Sequence, residues 1–158
     1  MDNNFMRALT FTSKWEGGFS NDKADPGGKT KYGISDAGDG TVDGLVEGKT
    51  KVEDLTLPQA MEIYYRKYWL ASGCGKLELP DAVAKFDAAV NCGVRRANQW
   101  GRSDRLPLYI IINKERTAYY NRLIQQKPEL NKFYKGWINR VVDLRKYCDI
   151  LETELLQK

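Results

Sequence analysis

A chain of 158 residues, 42% hydrophobic and 29% charged, is long enough for one domain, or one domain with a small appendage, and is ordinary in composition for a globular protein. It has no histidine and three scattered cysteines (Cys74, Cys92, Cys148). That excludes His-based triads, a disulfide framework and an ordinary zinc shell, so no metal and no cofactor is expected, and acid–base chemistry falls mainly to carboxylates. The net charge of +4 is uneven: Arg95 to Lys146 holds thirteen Lys/Arg against four acids, a surplus of nine, which leaves the remainder five negative. A basic half of this kind fits a polyanionic partner or a solvated helix face.

The opening "MDNNFMRALT" has no basic segment followed by an apolar one, and no apolar run approaches the roughly 18 residues of a membrane span. Synthesis in the cytoplasm, without a signal peptide or a membrane span, is expected. Residues 3–16 read as a helix, with Phe5, Ala8, Leu9, Thr12 and Trp15 at three- and four-residue steps before Gly17-Gly18. Residues 19–50 are rich in Gly, Asp, Asn, Thr and Lys, with only "YGI" and "GLV" as apolar runs, and read as loop with a small twisted hairpin. "DAGDGTVDG" lacks the spacing and terminal Glu of a calcium loop and reads as a polar, turn-rich insert.

A helix restarts at "LTLPQAMEIYYRKYW", where Thr56 and Gln59 form a capping box. Its apolar stripe is Leu57, Met61, Tyr64 and Tyr68, flanked by Tyr65 and Trp69. "LPDAVAKFDAAVNCG" is another helix, short helical pieces follow through Trp100, "GRSDRLP" is a linker, and Leu108 to Gln126 is helical again. Leu130, Tyr134, Trp137, Val141, Leu144, Cys148, Leu151 and Leu155 then form a heptad seam. It packs either on this chain's other helices or on a second copy as a homodimer. The fold class is mainly α with one irregular, Gly-rich lobe near the N-terminus.

Chemistry concentrates at "WEGGF". Glu16 lies in the last turn of the first helix beside the Trp15 indole, and both surroundings favour a protonated carboxyl of the kind that donates to a leaving oxygen. Asp25 opens the tight-turn sequence "DPGGKTKYGI", and a hairpin folding back over the helix end would bring Asp25 and Thr30 opposite Glu16. Asp87 and Asn91 share a face, and Asp87 falls inside the stripe Val83, Phe86, Val90. An inward acid there is either paired, for instance with an arginine, or lines a cleft.

The string from Glu16 through Asp25 and Thr30 to Gly33 resembles the Glu–Asp–Thr active-site pattern of phage-type lysozymes. "ALTFTSKWEGGFSNDKADPGGKTKYGIS", "LTLPQAMEIYYRKYW" and "FDAAVNCG" together resemble glycoside hydrolase family 108, peptidoglycan-cleaving enzymes also described as secretion activators. The resemblance implies a lysozyme-like catalytic domain over residues 1–104. A C-terminal helical region over 105–158 would contact peptidoglycan and pack on the first. It implies muramidase activity with Glu16, Asp25 and Thr30 catalytic. Beside it, Trp15 and Tyr32, aromatics near Glu16, and Asp87 and Asn91, on their shared helix face, are substrate-binding candidates. The partner is peptidoglycan rather than nucleic acid, reached at the cell wall or periplasm after assisted release, as for a phage or prophage lysis protein. A lytic transglycosylase and a non-catalytic wall-binding or secretion-helper protein are the alternatives.

Overall fold

A computed structural model describes residues 2–16, 30–35, 39–101 and 106–157, with the side chain of Thr30 outside the description. The first helix, α1 (Asn3–Trp15), is started by Asp2, whose carboxylate accepts from the Phe5 N–H at 2.7 Å. It buries Phe5, Ala8, Leu9, Phe11 and Thr12, and Glu16 caps its end, its N–H reaching the Thr12 carbonyl at 3.2 Å.

The Gly-rich stretch forms two small hairpins. Strands β1 (Thr30–Lys31) and β2 (Ile34–Ser35) pair antiparallel around a two-residue turn, Tyr32 (φ 56°) and Gly33 (φ 74°). Positive φ at both turn positions matches the twist of a tight hairpin, and Tyr32 takes it without glycine's freedom. Strands β3 (Thr41–Leu45) and β4 (Gly48–Lys51) pair with an irregularity between Val42 and Leu45. This lobe has its own core of Val42, Val52, Leu55, Ala60 and Ile63, against which Tyr32, Ile34 and Leu45 pack.

Helix α2 (Leu57–Tyr64) begins with the expected capping box: the Gln59 N–H donates to Thr56 Oγ1 at 3.4 Å and the Thr56 N–H to Gln59 Oε1 at 2.9 Å. From Tyr65 to Leu70 the coil widens to π geometry. The wider turn rotates the residues after Tyr64, so the stripe expected from a uniform 3.6-residue period shifts. Trp69 is fully buried and Tyr68 half-buried; Leu57, in the first turn before the wider coil, is exposed. Trp69 meets Phe5 and Phe86 edge-on at centroid distances of 5.7 and 5.8 Å.

Helix α3 (Leu79–Cys92) is the hub, buried along nearly its whole length and in contact with α1, the short α4 (Val94–Gln99), α5 (Leu108–Gln126) and α6 (Asn131–Leu156). The heptad seam is spent within the chain: Val141, Leu144, Cys148 and Leu151 are buried in the main core, and Tyr134 and Trp137 pack against it. At those positions the seam packs on this chain's own helices. One core runs across the expected boundary at residue 104, holding Phe5 and Phe86 together with Ile112 and Leu144. Among the described residues no helix is long and apolar enough to cross a membrane. The architecture is mainly α and lysozyme-like, with a small β lobe near the N-terminus, as expected.

Leu144→Ala, a truncation at a fully buried seam position, is expected to lower unfolding stability by about 2–5 kcal/mol in urea titrations. A loss below about 0.5 kcal/mol, the range of an exposed position, would show that α6 is not packed on the core.

Candidate active site

The centre of the molecule is a buried carboxylate with a complete set of donors. Asp87 stands among the apolar residues of the buried face of α3, and no part of it reaches solvent. Its Oδ1 accepts from Thr12 Oγ1 at 2.9 Å and from Arg140 Nη2 at 2.7 Å. Its Oδ2 accepts from Arg140 Nε at 3.1 Å and from Arg116 Nη1 at 2.6 Å. Burial by itself pushes this carboxyl up. The two guanidinium charges and their hydrogen bonds outweigh it and hold the carboxyl down at about 2.

Arg116 is itself fully buried on α5 and spends its remaining donors on Asn91 Oδ1 (Nη2, 2.9 Å) and the Tyr120 hydroxyl (Nε, 2.8 Å). That hydroxyl in turn donates to Asn91 Oδ1. Arg140, on α6, faces two anions. With Nε and Nη2 committed to Asp87, its Nη1 donates to Glu16 Oε1 at 2.7 Å. The Glu16 side chain is 27% exposed, and Oε2 has no hydrogen-bond partner among the described residues.

Glu16 lies where the two lobes meet. A Cβ placed on Gly33, in the β1–β2 turn, would come 3.6 Å from the Glu16 Cβ and 2.7 Å from the Tyr64 hydroxyl, so only glycine lets the hairpin sit this close. Tyr64 fastens the turn by donating to the Tyr32 carbonyl at 3.2 Å. Burial, and then the Glu16 charge, push the Tyr64 and Tyr68 phenols up, which keeps both neutral hydrogen-bonding groups beside the acid.

Trp15 points its Nε1–H elsewhere, to Asp143 Oδ2 on α6 at 3.0 Å, and the group that meets Glu16 is a guanidinium. Trp15 thus ties the end of α1 to α6 while remaining half-buried at the lip of the site.

Of the other residues singled out from the sequence, Asp25 lies outside the described residues. Thr30 is placed by its backbone alone, opposite Ser35 in the hairpin. Tyr32 forms the turn over Glu16, and the Lys31 ammonium lies 5.6 Å from its ring centroid. The choice left open for Asp87 falls to pairing. A wholly buried carboxylate with four donors presents no surface to a substrate. Asn91 is exposed at its rim but turns its carbonyl oxygen to Arg116 and Tyr120, so it anchors Arg116.

Arg140 and Arg116 were not foreseen. Arg140 lies three residues after Trp137 and just before Val141, on the face of the apolar seam, and a basic residue inside such a seam is the available signal. Both belong to the basic stretch read as a surface, yet they are its buried members.

Asp87 carries a stability prediction with a definite sign. Its carboxyl is depressed from 3.8 to about 2, so its contribution is full above about pH 4 and is lost as pH falls from about 4 to 2. Wild type is expected to lose on the order of 2 kcal/mol from this group between pH 5 and 2. In Asp87→Asn that part of the acid sensitivity should vanish, and stability at pH 6 should drop by about 3–5 kcal/mol because two guanidiniums lose their counter-charge. Urea midpoints against pH measure both, and an unchanged acid slope in the variant would contradict the assignment.

The family model for Glycosyl hydrolase 108 matches residues 9–93, more than half of the chain. No curated protein and no solved structure matches it. The matched segment contains Thr12, Glu16 and Asp87, while Arg116 and Arg140 come from the helices beyond it. Because the match spans more than half of the chain, the chain belongs to glycoside hydrolase family 108.

Proposed function

We propose that the protein is an N-acetylmuramidase that hydrolyses the β-1,4 bond between N-acetylmuramic acid and N-acetylglucosamine in peptidoglycan. The observation that carries this reading is the Glu16 carboxylate at the lobe junction, one oxygen held by Arg140 and the other without a partner among the described residues. Glu16 serves as general acid. A proton on Oε2 passes to the glycosidic oxygen as the bond from C1 breaks, water then adds to C1, and that water gives up its proton to a carboxylate. Asp25 is the second carboxylate, stabilising the oxocarbenium-like charge or directing the water, Thr30 positions the water, and Tyr32 lines the cleft. Trp15 forms the lip. The exposed cations of α5 and α6 hold the enzyme against an anionic wall, reached by assisted release from the cytoplasm.

Glu16→Gln keeps the size and the hydrogen-bonding oxygen but cannot donate the proton. Clearing of a cell-wall suspension should fall by about 10²–10⁴-fold while the melting temperature is retained. A Gln variant that clears as fast as wild type would remove Glu16 from the mechanism. Mass spectra of the released muropeptides should show reducing N-acetylmuramic acid ends, whereas 1,6-anhydro ends would make the protein a lytic transglycosylase. Wall binding without any cleavage by wild type would make it a binding protein.

Arg140 acts through Glu16 and is a positioning residue. It reaches two carboxylates with three donors in a planar fork, which an ammonium group does not reproduce. Arg140→Lys should lower kcat by about 10–100-fold with little change in KM, because a misplaced acid loses orientation rather than substrate affinity. A loss confined to KM would assign Arg140 to substrate binding instead.

A further inference from the structure

A polar cleft opens beside Gly33. It has a volume of about 220 Å³ and a floor formed in part by Val42 and Ile63. Gly33, whose added Cβ would lie 3.6 Å from the Glu16 Cβ, lines it together with Tyr68, Lys67 and Asp43. At this volume, below the roughly 300 Å³ at which small-molecule sites begin, it suits a side branch better than a run of sugars.

Lys67 is held in place by the backbone. A Cβ on Gly44, whose φ is 102°, would come 2.6, 3.1 and 3.2 Å from the Lys67 Cε, Cδ and Cγ, so the lysine stem lies directly on the bare glycine of β3. Among the described residues its ammonium has no ion pair and no hydrogen bond. Asp43 is engaged only at a distance, with Oδ1 3.5 Å from Lys49 Nζ, and Lys49 lies closer to Asp39 at 3.3 Å. The cleft therefore offers a seated donor and an accepting carboxylate on its walls, beside the candidate acid.

That pairing selects its ligand. A free carboxylate is attracted by Lys67 and repelled by Asp43, an ammonium group the reverse, and a neutral amide satisfies both with its C=O and N–H. Peptidoglycan carries such amides in the N-acetyl groups on its sugar rings and at the junction of the muramic lactyl ether with the stem peptide. Only the second lies on a branch that leaves the glycan, which a side cleft of this size can take. We propose that this cleft reads the lactyl-peptide branch of muramic acid, Lys67 donating to the amide carbonyl and Asp43 accepting from its N–H, a specificity role that rests on the muramidase reading. Lys67 and Asp43 are thus specificity residues for peptide-bearing wall over bare glycan.

The test is an NMR titration of the full chain with N-acetylmuramoyl-L-alanyl-D-isoglutamine and with N-acetylmuramic acid, which carries the free carboxylate. Wild type should bind the dipeptide about tenfold more tightly, the scale of one or two hydrogen bonds to charged groups. Lys67→Met and Asp43→Asn should each remove that preference, and Asp43→Asn should strengthen binding of the free acid by lifting a repulsion. Equal wild-type affinity for both ligands, or a preference that neither variant alters, overturns the proposal. Wall clearing measured in parallel separates the two readings. A retained dipeptide preference without clearing sinks the muramidase mechanism alone, and clearing without the preference sinks the cleft assignment alone.

Discussion

The arrangement of this protein turns on one buried carboxylate. Asp87 sits in the most enclosed helix of the chain, where an unpaired charge would cost several kcal/mol. Arg116 and Arg140 balance it from two different helices, and Arg140 has a donor left over for Glu16. Arg116 and Arg140 together bring two positive charges to the one carboxylate of Asp87, and the spare donor of Arg140 is directed to Glu16. A pairing of this kind adds less to net stability than apolar packing of similar volume. Its consequence is geometric, because each partner is held at a position that leaves no neighbour uncompensated.

This geometry makes the C-terminal helices part of the candidate site rather than an appendage to it. The segment matching the family model contributes the acid and the central carboxylate, and α5 and α6 contribute the cations that hold them. Trp15 adds a second tie between α1 and α6 through Asp143. The seam residues Val141, Leu144, Cys148 and Leu151 bring Arg140 to its place by packing α6 on the core, so the hydrophobic contact and the ion pair reinforce each other. From the opposite side, the β1–β2 turn reaches Glu16 because Gly33 has no side chain and Tyr64 bonds to the turn's carbonyl. The acid is thus clamped between a helical core and a separate small lobe.

Much of this was legible from local rules. The N-terminal helix and its end at Glu16, the Thr56–Gln59 capping box, the extent of Leu108–Gln126 and the seam of the last helix follow from spacing and capping chemistry, which act over a few residues. The π turn after Tyr64 was not legible, since the apolar spacing there is compatible with uniform helix. The burial of Trp69 between Phe5 and Phe86 is what goes with the wider turn. Asp87 was recognisable as an acid in need of a partner, but nothing near it in sequence names Arg116 or Arg140, 29 and 53 residues away.

By itself the sequence determined the class of fold, the carboxylate that stands at a helix end before two glycines, and the absence of any histidine to share its work. Those are properties of composition and short-range pattern. Tertiary structure alone decided which charges meet. It turned Asp87 inward as the anchor of two arginines, drew Arg140 out of an apparently basic surface to Glu16, and seated Lys67 on Gly44. Charge pairing depends on distance in space, and only the packing of α3 against α1, α5 and α6 sets those distances.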